Sequence, residues 1–239
     1  MGKTLKVGTL ISGGGTNLQA IINACRAGSI NAEIVFTGSD VPGVRGLERA
    51  QDAGIDTFVV NYANIIATCK TKGCDGRLPK DFDLNDIQAK QRLIDPVKDP
   101  EKAAFFLKTR AIAEKMLLDE MADYEMDLLV LAGFMRVFTP YFIDRINTEP
   151  GKHRIMNIHP ALLPAFPGTD GYGDTFRYGC KIGGCTVHFI DYGEDTGPII
   201  GQKAFEIEDT DTLDDVKAKG LAKEWELYPA CIQKYAESL

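Results

Sequence analysis

Three short stretches hold side chains whose types and spacing could do chemistry. Asn157-Ile158-His159-Pro160 closes an apolar, β-prone run. Residues two apart in a strand face the same side, so Asn157 and His159 project together. An amide donor beside an imidazole suits the stabilisation of a developing oxyanion. It equally suits a hydrogen-bonded structural pair. The second stretch is Ser12-Gly13-Gly14-Gly15-Thr16-Asn17, between an apolar run and an amphipathic one. Glycines let a backbone approach a ligand, and the helix behind them offers free N–H groups and partial positive charge, which suits an anion. The loop lacks the GxGxxG register, whose third glycine falls at Asn17 or Leu18, and it lacks a P-loop lysine. A plain tight turn is the alternative. The third stretch is Asp191-Tyr192-Gly193-Glu194-Asp195-Thr196-Gly197-Pro198. By default it is a solvated turn. It joins the chemistry only if one carboxylate folds back onto His159, where it would favour the imidazolium and fix the tautomer.

The elements that must position these stretches alternate. Residues 5–11 read as a strand, about 18–26 as a helix, 33–36 as a strand, 44–53 as a helix and 57–60 as a strand. A buried central strand is expected at 128–132. Strand, glycine turn and helix open a βαβ unit. The alternation predicts an α/β fold, a Rossmann-like, mostly parallel twisted sheet with helices on both faces. The second half adds strands at 155–158, 186–190 and 199–207, the last as one strand or two, with antiparallel pairing among them. A final helix runs from about 213 to 236, with possible breaks at Gly220 and Pro229. Residues 63–104 do not keep the rhythm. They read as an excursion from the sheet edge, partly helical at 84–93, within a single domain spanning 1–239. A surface elaboration, a lid over the site and an oligomer contact are the three roles open to it.

The chain has 239 residues, 27 Lys+Arg against 34 Asp+Glu, and 44% hydrophobic residues. That apolar content supports a packed core and argues against disorder. The net charge of −7 argues against a nucleic-acid backbone as the main partner. It leaves room for one electropositive pocket. The longest apolar run, 128–135, is far below the roughly 20 residues of a membrane span. Lys6 stands where a myristoylation signal has Ser or Thr, and no cleavage site follows, so a cytoplasmic protein is expected. Two of the six cysteines' spacings, Cys69/Cys74 and Cys180/Cys185, are C-x4-C. That spacing is permitted but not typical for zinc, and free thiols are the expectation.

Taken in order, Ser12 to Ile21, Ala132-Gly133-Phe134-Met135-Arg136, Asn157 to Pro164 and Asp195-Thr196-Gly197-Pro198 resemble the phosphoribosylglycinamide formyltransferase family. The resemblance covers about 4–62 and 105–237. It implies transfer of a formyl group from the co-substrate 10-formyltetrahydrofolate to the amino group of glycinamide ribonucleotide, without a metal. It places the catalytic trio at Asn157, His159 and Asp195. It places phosphate binding at Gly13, Gly14, Gly15, Thr16 and Asn17, and the glycinamide end of the nucleotide at Glu224. Folate contacts would come from Arg110, from Met135, Arg136, Val137 and Phe138, and from Ile190, Asp191 and the loop that follows. The resemblance also implies a cis bond at Leu163-Pro164, two small-molecule partners, no membrane, and a monomer or homodimer.

The sequence departs from that family in two places. A His-rich stretch is replaced by Thr169-Asp170-Gly171-Tyr172-Gly173-Asp174, and most members lack the excursion at 63–104. Other readings differ in class. A methionyl-tRNA formyltransferase would be expected to add a C-terminal nucleic-acid-binding domain. A formyltetrahydrofolate hydrolase would be expected to add an N-terminal regulatory domain before the first strand. A folate- or nucleotide-binding module would keep the fold without turnover. A nicotinamide oxidoreductase is disfavoured by the failed fingerprint.

Overall fold

The computed structural model describes residues 3–239, so the reading of Met1 and Gly2 lies outside the described residues. Seven strands form one sheet: β1 (Leu5–Ile11), β2 (Ala32–Ser39), β3 (Thr57–Val59), β4 (Leu128–Leu131), β5 (Ile155–His159), β6 (Ile182–Phe189) and β7 (Ile199–Glu206). Their spatial order is β3-β2-β1-β4-β5-β6-β7. The first five pair in parallel, and β6 and β7 are antiparallel additions. The expected fold class is therefore the observed one.

Alternation along the central strands explains why both faces are covered. Val7 and Ile11 on β1, with Leu128 and Val130 on β4, join one apolar cluster. Leu10, Leu129 and Leu131 point the other way into a second. The first cluster packs under α1 (Thr16–Arg26), α2 (Arg45–Asp52) and α8 (Leu213–Glu237). The second packs under α3 (Tyr62–Lys72), α5 (Pro100–Met121) and α6 (Pro140–Ile146). A strand buried on both sides must be apolar at every position, and β4, Leu-Leu-Val-Leu, is fully buried.

The final helix runs unbroken through Gly220 and Pro229, which corrects the expected breaks. A buried face of Leu227, Tyr228, Cys231, Ile232 and Tyr235 holds it to the sheet. That packing outweighs the one hydrogen bond a proline removes. Tyr228 adds a polar clasp, its hydroxyl lying 3.0 Å from both the Leu131 and Met156 carbonyls. Thr212 and Asp215 close a reciprocal capping box at the helix start. Gly220 has a different reason to be glycine: a Cβ there would sit 2.2 Å from the Tyr172 ring.

The excursion is more helical than its composition suggests. It holds most of α3, a 3₁₀ turn at Asp75–Arg77, α4 (Leu84–Lys90) and the start of α5. Asn61, Asp83 and Asp99 each cap the following helix through their side chains. A further helix, α7 (Gly171–Tyr178), follows β5, with the Leu163-Pro164 bond cis between them. No helix among the described residues is long and apolar enough to cross a membrane.

Candidate active site

Chain order reverses between β1 and β4, since β2 and β3 lie on one side of β1 and β4 to β7 on the other. Open α/β sheets hold ligands at the carboxyl ends of strands at such a switch point. A cleft of about 250 Å³ opens there. Of the sequence-predicted site residues, Asn17, Met135, Arg136, Val137, Phe138, Asn157, His159, Ile190, Asp195 and Glu224 line it. Gly13, Gly14, Gly15 and Thr16 do not line it; they precede Asn17, which does, at the start of α1. Arg110 and Asp191 stand off it.

The trio converges. Asn157 and His159 lie at the end of β5, and Asp195 reaches them from the loop after β6. His159 Nδ1 lies 3.2 Å from Asp195 Oδ2, and His159 Nε2 lies 2.7 Å from the Phe166 carbonyl. Both ring nitrogens thus face oxygen acceptors, and satisfying both takes two N–H groups. Asp195 Oδ2 also accepts from the Gly168 N–H at 2.9 Å. Burial alone would raise the Asp195 carboxyl. Its bond to His188, the Gly168 N–H and the nearby imidazoles outweigh that and hold it below the usual carboxylate range.

His188 is a member of this cluster that sequence spacing does not assign. It is the cross-strand partner of Asn157 in the β5–β6 register. Its Nε2 lies 3.4 Å from Asn157 Nδ2 and 3.5 Å from Asp195 Oδ1, and its Nδ1 faces the Phe189 carbonyl at 2.9 Å. His188 Nε2 therefore lies between the amide and the carboxylate, and it bonds one or the other according to whether it carries a proton. Antiparallel additions in the C-terminal half are legible in the sequence, but which strands pair, and the register that pairs 157 with 188, are not.

The glycine loop is built by close backbone approach. Gly15 has φ +69, and a Cβ there would lie 2.7 Å from the Gly46 Cα. The Gly46 N–H donates to the Gly13 carbonyl at 3.0 Å, and Arg49 Nε donates to the Gly14 carbonyl at 2.9 Å. Helix α1 starts at Thr16 with no side-chain cap, so its first N–H groups are unclaimed by a cap. Beneath them, Asn17 Nδ2 donates to Glu224 Oε2 at 2.7 Å, and the Tyr172 hydroxyl donates to Glu224 Oε1 at 2.7 Å. Burial pushes the Glu224 carboxyl up, with the Asn17 and Tyr172 bonds pulling against it. Asn17 Oδ1 is buried without a partner. Tyr172 comes from the stretch that replaces the His-rich segment. The only sequence trace of its role is Gly220, which vacates the space its ring fills.

The other arm is apolar with cationic edges. The Ser12 hydroxyl accepts the Met135 N–H at 2.8 Å, lacing the glycine loop to segment 133–138. Phe134, Phe138 and Phe142 stack in series. Arg136 Nε donates to Asp40 at 2.5 Å and lies over the Tyr62 ring, as does Arg110. Arg110 Nε has no partner, and burial lowers its pKa. Fully buried Glu114, one turn further along α5, accepts both the Thr139 N–H at 2.7 Å and its hydroxyl at 2.6 Å. It therefore pins the end of the apolar segment.

All six cysteines are free. Burial pushes Cys185 up to about 12, and likewise Cys74, which Cys69 raises further, to about 12. Both are thereby disfavoured as thiolates. Among the described residues no group of three or more His, Cys, Asp or Glu could hold a metal.

A doubly wound sheet with a glycine loop ahead of α1, an apolar arm and an Asn/His/Asp cluster suits an enzyme of acyl transfer to a small nucleophile. The sequence matches the family model described as formyl transferase over residues 5–232, and the chain belongs to that family. It is 32% identical over 229 residues to the phosphoribosylglycinamide formyltransferase of Bacillus subtilis, covering 96% of this chain and 93% of the relative. The crystal structure of glycinamide ribonucleotide transformylase 1 from Symbiobacterium toebii superposes with a TM-score of 0.72 at 34% identity, covering 100% of this chain and 90% of that one. The trifunctional purine biosynthetic protein adenosine-3 of Chironomus tentans is 31% identical over 97% of this chain, which spans 14% of that longer protein.

Proposed function

We propose that the chain moves a formyl group from 10-formyltetrahydrofolate to the amino group of glycinamide ribonucleotide, a cytoplasmic step of purine biosynthesis. We further propose that it does so as one formyltransferase domain carrying an insertion at about 63–104. The observation that carries this is the meeting of Asn157, His159 and Asp195 midway between an anion loop and an apolar arm. A nucleotide monophosphate fits the loop Gly13 to Asn17 and the α1 N-terminus. Its glycinamide end reaches Glu224, whose carboxylate orients the amine. The folate ring fits the slot of Met135 to Phe138 and Ile190. Arg136 and the N–H groups near Asp191 serve as polar anchors, while Arg110, which stands off the cleft, makes no direct contact and backs the Tyr62 ring.

Chemically, the amine nitrogen attacks the formyl carbon, the carbonyl electrons move to oxygen, and the bond from that carbon to the folate nitrogen then breaks. The amine loses a proton and the departing nitrogen gains one. Asn157 Nδ2 donates to the oxyanion. His159 Nε2 takes the same role by exchanging the Phe166 carbonyl for that oxygen, with Asp195 balancing its charge. Asp195 also orders a water that relays the proton. The chemistry requires no metal. Formyl transfer measured with glycinamide ribonucleotide, related amines and water as acceptors tests the reading. Turnover restricted to glycinamide ribonucleotide supports it, and equal turnover with water alone replaces it by hydrolysis.

A further inference from the structure

The excursion reaches the loop that carries Asp195 at one residue, Tyr192, once directly and once through Asp144 of α6. Helix α4 is anchored by Ile87, buried in a cluster with Leu107, Ala111 and Tyr141. The turn after it is fixed by the buried Gln91. Its Oε1 accepts the Leu93 and Ile94 N–H groups at 2.7 and 3.0 Å, and its Nε2 donates to the Ile94 carbonyl at 2.7 Å. This turn presents the Arg92 N–H to the Tyr192 carbonyl at 2.9 Å. The second link runs through side chains. Lys90 Nζ bonds Asp144 Oδ2 at 2.9 Å, and the Tyr192 hydroxyl donates to Asp144 Oδ1. Tyr192 is thus held by its backbone and by its side chain. It lies between Ile190, which lines the cleft, and Asp195, which faces His159.

We propose that the inserted segment is a brace, with Lys90, Gln91 and Tyr192 as positioning residues that hold the 190–196 loop in its substrate-binding shape. None of the three touches the reacting atoms. The brace works from outside the cleft, through α6 and a backbone bond, so it sets how much the loop must be ordered when folate binds. A preordered loop spends less binding energy on its own immobilisation. On this proposal the excursion acts as a brace and neither as a plain surface elaboration nor as a moving lid. The kinetic half of this inference rests on the formyl-transfer reading; the structural half does not.

Amide hydrogen exchange of 190–196 and steady-state kinetics with 10-formyltetrahydrofolate test it together. Tyr192→Phe removes only a hydroxyl, and Gln91→Ala unpins the turn. Each is expected to speed exchange in 190–196 by about two- to tenfold and to raise the folate KM by a similar factor, the scale of one neutral hydrogen bond. The kcat should stay within about twofold, and the thermal midpoint of Tyr192→Phe should hold. Asp86→Ala removes the exposed partner of Lys90 while leaving the Lys90–Asp144, Asp144–Tyr192 and Arg92–Tyr192 bonds in place, and should change neither readout. Unchanged loop exchange in both Tyr192→Phe and Gln91→Ala overturns the brace. So does an equal fall in kcat without a KM change. If the wild-type chain shows no formyl transfer while the exchange pattern is as expected, the functional reading fails and the brace stands.

Discussion

Asp195 Oδ2 sits 3.2 Å from His159 Nδ1, and the contact depends on an unusual backbone. Asp195 has φ 55, a left-handed conformation that aspartate adopts more readily than most side chains. The turn therefore doubles back and aims its carboxylate inward instead of into water. The carboxylate is held ionised by the neighbouring imidazoles and the Gly168 N–H. It can compensate a positive charge on His159 and still accept a hydrogen bond from a water.

Asp195→Asn keeps the shape and removes that charge. The expected result is a fall in kcat of about 10²–10⁴, the usual range for a lost proton-transfer group. The KM for both substrates should move by less than about threefold. A kcat within tenfold of wild type in steady-state formyl transfer would remove Asp195 from the mechanism.

Asn157→Ala tests the oxyanion side separately. Loss of one donor aimed at developing charge typically costs about 10²–10³ in rate. Because the Asn157 amide is also 3.4 Å from His188 Nε2, the variant leaves His188 facing Asp195 alone. Asn157→Ala and His188→Ala should therefore be non-additive, with the double variant well above the product of the single effects. Additive losses would show that His188 acts independently of the amide.

Glu224→Gln should separate the two substrates. Glu224 accepts from Asn17 and Tyr172 at once, and a glutamine amide must turn its NH2 toward one of these donors. The KM for glycinamide ribonucleotide is expected to rise about tenfold or more, since a charged hydrogen bond to the amine is lost. The folate KM should stay put. A folate KM that rises equally would place Glu224 in general scaffolding.

Much of this architecture is legible in the order of residues alone. The strand-glycine-helix opening and the apolar runs at 128–132 and 155–158 record burial on both faces, which composition expresses directly. The shared direction of Asn157 and His159 follows from the two-residue period of a strand. What the sequence hides is long-range. Pro229 lies inside α8 because packing on the sheet outweighs one hydrogen bond. Tyr172 reaches Glu224 through space vacated at Gly220, a relationship with no local signature. The helices of the excursion are capped by Asn61, Asp83 and Asp99, yet their polar, proline-rich composition masks them. Their contacts with Tyr192 depend on how the segment folds back.

Glu114 yields a pH prediction whose sign is fixed. Desolvation raises its carboxyl from 4.5 to about 7, against the pull of Thr139, Arg110 and Arg145. Below pH 4.5 the group is protonated in both the folded and unfolded chains and costs nothing. Between pH 4.5 and about 7 the unfolded chain releases its proton while the folded chain retains it, so stability falls as pH rises. The loss is complete above the folded value and is on the order of 3 kcal/mol. Glu114→Gln cannot ionise, and its amide can still accept from the Thr139 N–H while donating to the Thr139 hydroxyl. Its thermal midpoint should match wild type near pH 4 and exceed it by several degrees at pH 8, at about 2–4 °C per kcal/mol for a chain of this size. Other carboxylates shift both proteins alike, so the difference between the two melting curves isolates this one. A midpoint difference that stays constant from pH 5 to 8 would mean that Glu114 is ionised throughout, with Arg110 as its full counter-charge.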